Sequence, residues 1–179
     1  MQNWQWRYNK ADEELCAIMC NGLEQPLVYK KKHFRNDIPQ LCDFTLEDAN
    51  IQRWLMEYQE AHDGPLPADY FITALHGAAV ARFGKALMPQ SWHFQTNNLE
   101  QWPETHYYCC LKSGFEEGSF LVVSRDERSS LCMLLDTRFE VGANKVMKRY
   151  DVVRVLNDRL FSHSAHPVTE DLNHWQELA

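Results

Sequence analysis

"NWQWRYNKADEELCAIMCNG", Asn3 to Gly22, decides how the first half of the chain is built. Trp4, Trp6 and Tyr8 alternate with Gln5 and Arg7, and a period of two puts the aromatic rings on one face of a strand. The polar residues Asn9 to Asp12 predict a turn. "ELCAIMC", Glu14 to Cys20, predicts a second strand on which Leu15, Ala17 and Met19 share a face. Asn21-Gly22 is a hairpin dipeptide, because both residues tolerate a positive φ. A third strand is expected around Leu27 to Lys30, completing a meander. Lys30, Lys31, Lys32 and Arg35 are then expected at a solvated strand end.

Two helices follow in the pattern. Thr45 is placed to cap the first, with Asp48 three residues on as a shortened capping box. Glu47 and Asp48 in the first turn also suit the helix dipole. Ile51, Trp54, Leu55 and Tyr58 fall at i, i+3, i+4 and i+7 and form one apolar stripe. Gly64 is expected to end this helix and Pro67 to start the next, which runs to Phe83 with Gly84 as its C-cap residue. Ala74, Gly77, Ala78 and Ala81 are small enough to let another element approach closely.

Beyond Pro89 the periodicity changes. "MPQSWHF", Met88 to Phe94, contains an alternating piece that reads as a strand, with Trp92 and Phe94 on one side and His93 on the other. From His106 the chain consists of short apolar runs divided by turns: "HYYCCLK", "SFLVVS", "SLCMLLD", a piece near Phe139 to Val141, and "KVMKRYDVVRVL". Strands at this spacing predict an antiparallel barrel or sandwich. "DVVRVLNDRL" fits either a helix or a strand, and its valines favour a strand. The tail after His163 is polar as far as Trp175. The expected fold class is α+β, with an N-terminal α/β domain over residues 1–97 and a C-terminal antiparallel β-barrel-like domain over 98–179. The turn-rich "QTNNLEQWPET" lies at the boundary.

Composition removes several classes of function. The 179 residues carry a net charge of −7, whereas phosphate neutralisation needs a surplus of Lys and Arg. The same balance disfavours an anionic membrane surface, and no run approaches the length of a membrane-spanning helix. The first ten residues contain no apolar core of a signal peptide, so the chain is expected in the cytoplasm. There the six cysteines, Cys16, Cys20, Cys42, Cys109, Cys110 and Cys132, are expected as thiols.

No sequence motif for catalysis emerges. The seven glycines are too scattered for a phosphate loop, and GxSxG, HExxH and CxxC are all missing. His106, Cys109 and Cys110, joined by His93, are the best set for a metal, but adjacent cysteines on a strand point to opposite faces. Cys110 and His106 share a face as a thiol and a base, yet four residues of strand hold them about 13 Å apart. No metal, no cofactor and no catalytic residue are therefore assigned. The aromatic Trp4, Trp6 and Tyr8 keep open a single-stranded nucleic-acid binder that stacks bases. An enzyme with an unrecognised site also stays open. A protein-interaction role is what elimination leaves.

The chain resembles the ZapC family of bacterial cell-division proteins associated with the FtsZ ring. The resemblance rests on "NWQWRY", "ITALHGAAVARFGKALMPQSWHF", "SFLVVS" with "LCMLL", and "VVRVLNDRL", in that order and spread over nearly the whole chain. It implies a non-enzymatic cytoplasmic protein, expected as a monomer. Such a protein binds FtsZ directly, promotes lateral bundling of its filaments and stabilises the ring at midcell. It also implies an α/β N-terminal and a β-barrel-like C-terminal domain. The partner surface that the resemblance implies is that of FtsZ filaments or their C-terminal tails, acidic overall with apolar anchors, so a basic and apolar surface is expected on this acidic chain. Candidates for it are Leu15, Ala17 and Met19 as a groove, with Arg82, Lys85 and His93 as the charged face and Lys30, Lys31, Lys32 and Arg35 as the other basic residues of the first half. Trp92 and Phe94 are expected to anchor the domain junction.

Overall fold

The computed structural model describes residues 3–62, 70–97, 103 and 105–163. They form two compact units divided after Ala86. The first unit opens with the expected hairpin. β1 (Gln5–Asn9) and β2 (Glu14–Ile18) run antiparallel, and β3 (Glu24–Pro26) and β4 (Leu41–Asp43) complete a sheet of order β3-β2-β1-β4. Trp6 pairs with Ala17 and Tyr8 with Leu15, so all four face the same way, and all four are buried. At the hairpin tip Gly22 takes φ +79°, and its N–H donates to the Met19 carbonyl at 2.9 Å. The third strand, expected around Leu27 to Lys30, lies wholly before that stretch. Val28 leaves the sheet because its N–H donates to His76 Nε2 at 3.1 Å, while Tyr29 is fully buried. The lysines that follow form a 3-10 turn, Lys31–His33, and not a strand end.

Helices α1 (Leu46–Ala61) and α2 (Tyr70–Phe83) pack on one another within this unit. The proposed stop at Gly64 and start at Pro67 lie outside the described residues. The cap of α1 is as the sequence suggests: Asp48 N–H donates to Thr45 Oγ1 at 3.2 Å and Thr45 N–H donates to Asp48 Oδ2 at 2.8 Å. That same buried carboxylate oxygen accepts the Trp6 indole N–H at 3.0 Å and the Arg82 guanidinium. The inner face of the sheet meets α2 edge-on, with the Trp6 and Phe83 ring centroids 5.6 Å apart. The small residues Ala74, Gly77 and Ala78 are buried, as their close approach requires, whereas Ala81 faces solvent.

The second unit is antiparallel β. β5 (Tyr108–Lys112), β6 (Glu117–Arg125), β7 (Ser129–Leu134) and β10 (Val152–Leu156) form a sheet of order β10-β7-β6-β5, and β8 (Arg138–Gly142) pairs with β9 (Lys145–Lys148) as a separate ribbon. The expected all-β domain is present, but among the described residues its strands do not close into a barrel. Each edge of the four-stranded sheet is nevertheless covered. Cys110 and Phe161 exchange backbone hydrogen bonds of 2.9 Å along β5, while Gln90 N–H donates to Arg154 O at 2.8 Å along β10. Covered edges do not template pairing with a further strand. The core gathers Phe94, Leu111, Phe120, Val122, Leu134 and Phe139. Gly118 is required beneath it, since a Cβ there would stand 2.5 Å from the Phe139 ring. Phe94 stacks on Phe139 at 6.2 Å, so residues 87–94 belong to the second unit and the division falls earlier than residue 97. "SWHFQ" is a 3-10 turn, Ser91–His93, and not a strand. Its buried pair is Ser91 and Phe94, three residues apart, which is the 3-10 repeat.

Two predictions follow from the packing. Asp48→Ala removes one acceptor from three donors and leaves Arg82 without its anion. Urea unfolding is expected to show a loss of about 3 kcal/mol, the usual cost of deleting one partner of a buried ionic network. His76 is buried, donates from Nδ1 to Ile72 O at 2.8 Å and accepts at Nε2, so it is held neutral. Burial pushes its pKa from 6.5 down to about 4. The unfolded chain then binds a proton that the folded chain refuses. Its contribution is complete above pH 6.5 and is lost as pH falls towards 4. An NMR titration should show a flat His76 ring signal from pH 8 to 5, and a midpoint at or above 6.5 would contradict the assignment.

Candidate protein-interaction site

The end of α2 and the lysine-rich turn are stitched together. Arg35 N–H donates to Phe83 O at 2.9 Å, Lys85 N–H donates to His33 O at 3.1 Å, and Phe34 forms a β-bridge with Gly84. Glycine is needed at that bridge, because a Cβ on residue 84 would lie 2.5 Å from the Val80 carbonyl oxygen. The stitching brings Lys85 beside Lys31, Lys32 and Arg35, cations that the sequence separates by about fifty positions. All four are exposed.

Two adjoining clefts open on this surface and share Arg35 and Ile38. One, of about 270 Å³, is walled by Tyr8, Lys10, Glu13, Lys31, Phe34 and Asn36 as well. The other, of about 210 Å³, adds Asp37, Pro39, Arg82 and Phe83. Arg35 is paired with Asp37 at 3.7 Å and donates to the Arg82 carbonyl at 2.7 Å, and Lys10, Lys31 and nearby Lys85 then outnumber Glu13. Aromatic and aliphatic walls beneath cations suit an acidic segment with an apolar anchor.

The residues singled out from sequence fare differently. Leu15 is 1% exposed and Ala17 0%; they line the core beneath Trp6 and Tyr8 and offer no groove. Met19 is half-buried at the hairpin tip, its N–H donating to Leu23 O at 2.8 Å. Arg82 lies against the clefts, but its guanidinium is taken by Asp48 and by the Asp43 carbonyl at 2.7 Å. It is a structural cation whose charge is already balanced. Lys85 is exposed as expected. His93 belongs to the other unit, half-buried between Trp92 and Phe94. Burial, and then the Lys145 charge, hold its pKa below the usual histidine range. Phe94 is an anchor of the second unit's own core, whereas Trp92 is 73% exposed and has its ring 5.4 Å from that of His93. The residues the sequence reading passed over are Tyr8, Lys10, Phe34 and Ile38. Their signal was present in the run "KKKHFRNDI", whose single buried aromatic fixes a cationic turn to the sheet through Tyr8–Phe34 ring contact at 5.8 Å.

Trp6 and Tyr8 are buried and cannot stack bases. Burial pushes the Cys110 thiol up to about 12, far from a nucleophile's range. Among the described residues no group of three or more His, Cys, Asp or Glu side chains is arranged to hold a metal, and no helix is long and apolar enough to cross a membrane.

A two-unit α+β protein with a cationic, apolar-walled surface is thus the class that the geometry defines. The family model described as cell-division protein ZapC, N-terminal, matches residues 1–85, and that described as cell-division protein ZapC, C-terminal, matches residues 86–166. Their junction falls where the two compact units divide. The cell division protein ZapC of Idiomarina loihiensis is 30% identical over 99% of this chain and 97% of its own length. That of Aeromonas hydrophila is 29% identical over 94% and 92%, and that of Aliivibrio salmonicida 28% over 88% of each. The chain belongs to the ZapC family and is a cell-division protein.

Arg82 and Lys85, neighbours in sequence, should separate in their effects. Arg82→Ala strips the buried Asp48 of its counter-ion and is expected to lower stability by about 2 kcal/mol. Lys85→Asp touches only an exposed helix end, worth about 0.3–1 kcal/mol. Thermal melts of the two variants side by side check this ordering.

Proposed function

We propose that this protein binds FtsZ directly through the cationic clefts of its first unit. In this reading it promotes lateral bundling of FtsZ filaments, stabilises the ring at midcell, and does so as a monomer with no catalytic group of its own. The observation that carries the reading is the local charge. A chain of net charge −7 gathers Lys10, Lys31, Lys32, Arg35 and Lys85 around Tyr8, Phe34 and Ile38. An excess of cations over apolar walls is a poor choice for solubility alone and a good one for an acidic partner. Family membership supplies the context of division.

The test is sedimentation of FtsZ polymerised with GTP, with and without this protein. Co-pelleting is expected, and it should weaken as salt rises because the contacts are exposed and screened. Lys10→Glu combined with Lys31→Glu should reduce co-pelleting by about tenfold or more at low salt while the melting temperature stays near that of the parent. Wild-type protein that fails to pellet at low and moderate salt would remove FtsZ as the partner. Retained binding by the double reversal would remove these clefts as the site.

A further inference from the structure

We infer that residues 164–179 close over the outer face of the second unit's sheet as a strap, seating Leu172 and Trp175 on a ladder made by Tyr108, Leu121, Met133 and Val152. β7 is buried at all six positions and β5 at its first four. Side chains alternate along a strand, so burial at consecutive positions requires cover on both faces. One face is the core already described, with Cys109, Phe120, Cys132 and Val153. The other carries Tyr108, Leu121, Met133 and Val152, which stand directly opposite one another across β5, β6, β7 and β10. Tyr108, Leu121 and Met133 are 0% exposed, yet none of them belongs to that core. A second apolar layer has to lie on this face.

The path of the chain points to its occupant. Phe161 pairs with Cys110 along the free side of β5. Two residues on, His163 Nε2 lies 3.1 Å from Ser119 Oγ, and Ser119 stands opposite Cys110 on β6. The His163 ring is also 5.4 Å from that of Tyr108. Between Phe161 and His163 the chain thus leaves the sheet edge and climbs onto the outer face, heading from β5 across β6. The sixteen residues that follow are "SAHPVTEDLNHWQELA". Val168, Leu172, Trp175 and Leu178 fall at i, i+4, i+7 and i+10, one apolar stripe at the helical period. A helical stripe of that length spans about 15 Å, and four paired strands span about 14 Å. Length and direction therefore match the ladder. Attachment beside the face also gives the segment an effective concentration on the order of millimolar, which any separate molecule has to exceed. A second copy of this chain would in addition bring a net charge of −7 towards its equal.

The methyl group of Met133 reports the strap in the full chain. Its NMR signal can be assigned with Met133→Leu, a change that nearly conserves volume. Trp175→Ala is expected to move that signal, because an indole ring beside it is removed. Trp175→Ala and Leu172→Ala together should lower the melting temperature by about 5 °C. Gln176→Ala, off the stripe, should do neither. A chain ended after Ala165 should bind about threefold more of the dye ANS, which reports exposed apolar surface, and a synthetic peptide of residues 164–179 should reverse the gain. If the shortened chain does not fold, the full-length variants still decide the matter. A Met133 signal and a melting temperature that ignore both Trp175→Ala and Leu172→Ala would overturn the inference. So would equal dye binding by the parent and a folded shortened chain. A Met133 signal that changes with protein concentration, alongside a dimer in sedimentation, would make a second copy the occupant and equally sink the strap.

Discussion

The carboxylate of Asp48 is the point on which the first unit turns. One buried oxygen accepts from the indole of β1, the backbone before α1 and the guanidinium near the end of α2. These donors come from residues 6, 45 and 82, so a single anion ties the sheet to both helices. Its own burial is tolerable only because every donor is in place, and for the same reason the network is intolerant of losing one member. The consequence reaches the surface. Arg82 held by Asp48 and Asp43 fixes where α2 stops. The stop fixes Gly84 against Phe34, and that bridge sets Lys85 beside the lysine turn. The cationic face is assembled by a buried negative charge that contributes nothing to the surface potential itself.

Sequence patterns revealed those elements whose information is local. The Thr45–Asp48 cap, the Asn21-Gly22 turn and the alternation of Trp6 and Tyr8 depend on neighbours within a few residues, and each is present in the structure. Readings that required long-range knowledge were less secure. Leu15 and Ala17 alternate in the same way whether they line a groove or a core, and only the position of α2 decides between the two. "SWHFQ" alternates as a strand would, yet the buried positions are Ser91 and Phe94. A buried serine next to an exposed tryptophan reverses what hydrophobicity predicts, because Ser91 is held by hydrogen bonds from Leu156 and Arg159. Arg82 and Lys85 look equivalent in sequence. Their difference is the presence of Asp48, thirty-four positions away from Arg82.

The two units manage their β-sheet edges differently. In the second, Phe161 covers β5 and Gln90 with Ser91 covers β10. In the first, Pro26 lies on the edge strand β3, and Arg82 occupies the Asp43 carbonyl of β4. Pairing a further strand onto either sheet is thereby discouraged, and side chains are left as the means of contact with partners. In the first unit the side chains available are cations over apolar walls. Such surfaces act through charge and a few aromatic anchors.

Hydrogen–deuterium exchange of this protein, alone and mixed with FtsZ polymer at low salt, tests the central claim most directly. The account predicts added protection at residues 30–36 and 84–86, where the lysine turn meets the end of α2. Exchange unchanged in both of these segments, with protection confined to the β5–β6 hairpin or the β8–β9 ribbon, would contradict it.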